Sequence, residues 1–124
     1  MATLKTFEEL ECWKAAKEFY VRCRALVTGT SLEKEYHLKE QLLRAALSIS
    51  NNIAEGFERG GEKEFRRFII IANGSLSECR NMIIIISEVF PDLNQHQIQE
   101  LHTLALKVIS LNKGLIKYLN TRIS

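Results

Sequence analysis

The stretch QLLRAALSISNNIAEGFERGG, residues 41–61, decides how this chain folds. Leu42, Ala45 with Ala46, Ile49, Ile53 and Phe57 recur by threes and fours, the spacing of one face of an α-helix. Leu38 keeps that register upstream, so a helix is predicted over about 32–57, broken at Gly60 and Gly61. Yet the same span holds two serines, two asparagines and a glycine, all poor helix formers.

These residues are sorted by face. At helical period Arg44, Ser48, Asn51, Asn52, Glu55 and Arg59 share one stripe, away from Leu38, Ile49, Ile53 and Phe57. A solvated face is the plain reading of the charges. Exposed helix positions favour Lys, Glu, Gln and Ala, however, because Ser and Asn lower helix propensity without packing in return. Ser48, Asn51 and Asn52 therefore read as hydrogen-bonding groups with a partner. Ser50 points into the apolar face, where its hydroxyl can bond the carbonyl four residues earlier. Gly56 costs about 1 kcal/mol against alanine inside a helix, and close approach by another helix would explain it.

Outward from this stretch the same periodicity continues. A first helix is predicted over about 7–27, opened by Thr6 and Glu9 as a capping box, with an apolar seam through Cys12, Trp13, Ala16, Phe19, Cys23 and Leu26. Gly29 is placed to end it and Ser31 to cap its successor. A third covers about 62–90, with Phe65, Phe68, Ile69, Ala72, Leu76, Cys79, Ile83 and Ile86 in its seam, and stops at Pro91 and Asp92. A fourth covers about 94–122, opened by Asn94 and Gln97 as a second capping box. No segment alternates with period two. The expectation is an all-α chain, an antiparallel up-down-up-down four-helix bundle in one domain over residues 1–124.

The third helix is apolar on more than one side. Opposite its seam lie Lys63, Arg66, Arg67, Gly74, Ser77 and Asn81, and among them Ile70, Ile84 and Ile85. A monomer of four helices cannot cover both faces, so a homo-oligomer is expected, with Gly74 and Ser77 allowing close helix approach at the interface.

Composition limits the remaining possibilities. The 124 residues carry 17 basic and 15 acidic side chains, a net charge of +2, so any nucleic-acid surface must be local. The span 68–86 is long enough to cross a bilayer, but Asn73, Glu78, Arg80 and Asn81 within it argue against membrane insertion. The N-terminus shows no signal-peptide pattern. Cys12, Cys23 and Cys79 form no paired motif and lie on apolar faces, which fits small core residues in a reducing cytoplasm.

No catalytic constellation is apparent. None of His37, His96 and His102 has a glutamate three residues before it, as a di-iron bundle requires. They read as surface or helix-end groups, and Trp13 and Tyr36 as core anchors. The glycines at 56–61 are too short and acidic a loop for phosphate binding of the nucleotide type. Ser48 or Cys79 as a nucleophile has no evident base. No enzyme, metal or cofactor is expected.

Residues 41–78 carry a resemblance. Gln41, Arg44, Ala45, Ser48, Ile49, Asn52, Ile53, Ala54, Glu55 and Gly56, then Lys63, Glu64, Phe65, Arg67 and Phe68, then Ala72, Gly74, Ser75 and Glu78 match the hallmark of the bacterial four helix bundle protein family. That family was first noticed as reading frames inside intervening sequences of large-subunit ribosomal RNA genes. Phe7, Leu10 and Trp13 also resemble the family's start. The chain departs from its pattern at Ser50, where proline is common, and at Gly61, where serine or threonine is. The resemblance implies a four-helix bundle that assembles as a homopentameric ring. The chain is also similar to the accessory proteins of diversity-generating retroelements, pentamers that work with a reverse transcriptase and nucleic acid.

Two functions from different classes stay open. One is a non-enzymatic scaffold binding RNA or a nucleoprotein through Arg44, Arg59, Lys63, Arg66, Arg67 and Arg80, repeated around a ring. The other is a protein-only assembly module whose arginines pair with Glu55, Glu58, Glu62 and Glu64. An enzyme built on Ser48, Asn52 and Glu55 is the remote third.

Overall fold

In the computed structural model, which describes residues 4–123, four helices account for most of the chain: α1 (Glu11–Val27), α2 (Tyr36–Glu58), α3 (Glu62–Val89) and α4 (Gln95–Arg122). No strand occurs among the described residues, and residues 1–3 and 124 of the expected domain lie outside them. Each helix packs on two neighbours, α1 and α3 both lying between α2 and α4. Neighbours run antiparallel. Ser48 meets Ser75 while Gly56 meets Phe68, and Asn73 meets Asn112 while Glu62 meets Arg122. This is the up-down-up-down bundle the seams predict.

Two helix starts differ from expectation. Glu9 accepts the backbone N–H groups of Lys5 and Thr6 at 2.7 and 3.1 Å, but it closes a short 3-10 turn, Phe7–Glu9. Leu10 is then extended, and α1 begins at Glu11. Likewise Ser31–Lys34 is a 3-10 turn and α2 starts at Tyr36 rather than near Leu32. Residues i and i+3 also align in a 3-10 turn, so apolar spacing alone does not separate the two. Leu32 is the fully buried anchor of that turn. Tyr36, read above as a core anchor, is 62% exposed at the first position of α2. Trp13 is half-buried edge-on against Phe7.

The breaks follow local chemistry. Gly29 and Gly60 take φ of +79 and +84, the left-handed region where a side chain is unfavourable. Asn94 Oδ1 accepts the Gln97 N–H at 2.9 Å, satisfying a free donor of the first turn of α4. Ser31 caps nothing. Its N–H and hydroxyl donate to the two carboxylate oxygens of Asp92 at 2.8 and 2.6 Å, tying the α1–α2 link to the α3–α4 link at one end of the bundle.

The core is largely aliphatic, with Leu42, Ile49, Ile53, Ile69, Leu76, Ile83 and Leu101 fully buried beside the ring of Phe19, and all three cysteines are buried in it. Burial pushes the Cys12 thiol up to about 11 and Cys79 to about 12, and raises Cys23 further. Two buried positions among the described residues are polar, Ser50 and Asn112. Asn112, wholly buried, donates to Asn73 Oδ1 at 2.8 Å while its own Oδ1 finds no partner. A buried amide tied to one residue of a neighbouring helix resists sliding of α4 along α3.

Candidate functional site

The polar stripe of α2 divides along its length. On the edge toward α3, Ser48 Oγ lies 3.0 Å from Ser75 Oγ. Asn52 Nδ2 donates to the Ser48 carbonyl at 2.7 Å and to Ser48 Oγ at 2.9 Å. Ser48 and Asn52 are half-buried, so their expected partner exists within the subunit. Arg44, Asn51 and Glu55 on the outer edge are exposed, as is Arg59, which leans toward α3. Ser50 is buried and bonds the Leu47 carbonyl three residues back, at 3.3 Å, not the one four back. Gly56 is where α3 comes closest. A Cβ there would lie 2.6 Å from Phe68 Cβ.

The six basic residues singled out in the sequence do not gather into one patch. Arg44 pairs with Glu40 at 2.8 Å. Arg59 pairs with Glu55 at 2.8 Å and Arg67 with Glu64 at 3.2 Å. The guanidinium groups of Arg59 and Arg67 stand 5.0 and 4.9 Å from the Phe68 ring centroid. The hydrogen bond that Arg59 donates to Glu55 raises the Arg59 pKa. Arg80 is half-buried, with an Nε that is enclosed and has no partner. Lys63, Arg66 and Arg80 pair with no carboxylate among the described residues, Lys63 being exposed and Arg66, like Arg80, half-buried. Arg66 donates instead to the neutral Asn120 Oδ1 at 2.7 Å.

The outer face of α3 is open. Ile70, Ile84 and Ile85 are 52%, 48% and 50% exposed, and Val89 extends the row at 61%. Gly74 lies between them with nothing within 4 Å of where its Cβ would be. Ser77 and Glu78 are exposed on the same side. Ile71 of α3 and Leu47 of α2 add two further exposed aliphatic groups.

Sequence reading missed the cations of α4. Residues 101–122 contain Lys107, Lys113, Lys117 and Arg122 and no acidic residue, a signal visible in the sequence but without meaning until α4 is set beside the start of α3. Arg122 is neutralised by Glu62 at 2.9 Å, whereas Lys113 and Lys117 are exposed and form no ion pair among the described residues. Lys63, Glu64, Arg66, Arg67 and Ile70 border a shallow depression of about 250 Å³.

A sequence profile of the family described as 23S rRNA-intervening sequence protein matches residues 8–115. That span takes in the α2 stripe, the close contact at Gly56 and the whole of α3. No curated protein matches the chain.

Proposed function

The chain belongs to the 23S rRNA-intervening sequence protein family, and from that footing we propose that it is a non-catalytic, cytoplasmic homo-oligomeric scaffold that binds RNA or a nucleoprotein. The resemblance to pentameric relatives favours five copies. The observation that carries the assembly is the outer face of α3. Ile70, Ile84, Ile85 and Val89 form a row of aliphatic side chains, each about half exposed, and burying the remainder of each contributes roughly 1 kcal/mol. Gly74, with open space above it one turn beyond Ile70, lets a second helix approach closely.

The family's description names a genetic setting rather than a bound molecule, so the RNA reading rests on the unpaired cations. One such group per subunit, repeated by symmetry, makes a polyanion-binding surface from a chain of net charge only +2. Sedimentation equilibrium tests the assembly, and a 14.3 kDa species at micromolar concentration overturns it. Filter binding of RNA across a salt series tests the second part. Affinity falling steeply with salt supports the scaffold, and absence of binding at every salt concentration leaves a protein-only assembly module.

A further inference from the structure

We infer that RNA phosphates are held on a strip assembled from helices far apart in the chain, by Lys63 and Arg66 at the start of α3 and Lys113 and Lys117 near the end of α4. This rests on the RNA-binding reading above and gives it a location, different from the arginine set that the sequence favours.

Register places the four groups together. The Arg66–Asn120 hydrogen bond at 2.7 Å and the Arg122–Glu62 pair at 2.9 Å set the first turns of α3 beside the last turns of α4. Lys117 and Lys113 precede Asn120 by one and two turns and so share its side of the helix. With a rise of about 1.5 Å per residue, the strip is on the order of 15 Å long, and packed helices set its two edges about 8–10 Å apart. No acidic residue occurs on α4 beyond Glu100, and Glu62 is occupied by Arg122. Glu64, which borders the same depression as Lys63 and Arg66, is paired with Arg67, so the strip keeps a net positive charge, whereas the Arg44, Arg59 and Arg67 positions are offset by glutamates.

A nucleic acid fits this strip better than an acidic peptide does. The cations flank the α3–α4 seam on both sides, so a strand running along the seam meets them with successive phosphates. Tyr118, 36% exposed, borders a separate depression of about 230 Å³ at this end of the bundle together with Phe57 and Phe65 and faces a different side of α4 from Lys117.

The test is fluorescence anisotropy of a fluorescein-labelled oligouridine with the parent protein, the Lys113→Gln/Lys117→Gln variant and a Lys34→Gln/Lys39→Gln control, over a salt series. The control removes the same charge at the opposite end of the bundle. Circular dichroism and sedimentation confirm that all three proteins are folded and assembled alike. The expected result is about tenfold weaker binding by the first variant at low salt, with the slope of log K against log salt reduced by roughly 1.4. The control should stay within about twofold of the parent. Equal losses in both variants overturn the strip while leaving RNA binding intact. No binding by the parent even at the lowest salt overturns the strip and the RNA reading together.

Discussion

Gly56 of α2 and Phe68 of α3 are in such close contact that a methyl group on Gly56 would stand 2.6 Å from the Phe68 Cβ. Both atoms are fixed by backbone, so neither can swing aside. Gly56→Ala gains about 1 kcal/mol of helix propensity. The enforced separation of α2 and α3 outweighs that gain, with a net destabilisation of about 1–3 kcal/mol. Gly74→Ala meets nothing within 4 Å and should stabilise the folded subunit, by about 0.5–1 kcal/mol. Urea melts of the two variants at protein concentrations low enough to keep the subunits apart should shift in opposite directions.

Asn52 and Glu55 share one stripe in the sequence but differ in their surroundings. Asn52→Ala removes both hydrogen bonds to Ser48 and should destabilise by about 1–2 kcal/mol, with non-additivity against Ser48→Ala in a double-mutant cycle. Glu55 is 53% exposed and pairs only along its own helix, so within the subunit Glu55→Ala should change stability by less than about 0.5 kcal/mol. Thermal melts check both, and a loss at Glu55 as large as at Asn52 would reveal a contact made between subunits.

Ile84→Asp or Ile85→Asp should lower the assembled fraction in sedimentation velocity while leaving the helical circular dichroism spectrum unchanged. The new carboxylate is tolerated on an open face of the subunit, but burying it unpaired at an interface costs several kcal/mol. Assembly unaffected by both substitutions would remove α3 from the interface.

Asp92 accepts two hydrogen bonds from Ser31, through the hydroxyl first and the backbone N–H second, and these hold its pKa below the usual aspartate value. A carboxylate with a lowered folded pKa contributes stability that is present above about pH 4 and is lost as pH falls through the lower, folded value. Asp92→Asn should therefore melt below the parent at neutral pH, and the two melting temperatures should converge as pH drops below about 3. A constant gap across that range would mean the link between the two loops is not electrostatic.

Burial raises all three thiols, so iodoacetamide at neutral pH should leave Cys12, Cys23 and Cys79 unmodified in the folded protein. In denaturant all three should react over the same range that unfolds the helices. Mass spectrometry distinguishes this from early labelling of Cys12, which would point to local opening at the start of α1.

The number of helices, their breaks and their core faces were legible in the sequence because each depends on residues within a turn or two. Ile49, Ile53 and Phe57 mark a face by spacing alone, and Gly29 and Gly60 end helices through their own backbone freedom. Gly56 could also be read locally as a place of close approach. The two 3-10 turns at Phe7–Glu9 and Ser31–Lys34 escaped, because a spacing of three is common to both helix types.

What the tertiary structure decided is which polar groups meet. Ser48 and Asn51 differ little as members of a stripe, yet one meets Ser75 of α3 and the other stays exposed. Arg67 and Arg66 are adjacent in the chain, but one reaches a glutamate on its own helix and the other an asparagine of α4. Charge is conferred by sequence, but whether it remains available depends on the neighbours that helix pairing and register bring within a few ångströms. That register is held by contacts between distant residues, at Gly56 with Phe68 and at Asn73 with Asn112, which no local periodicity encodes.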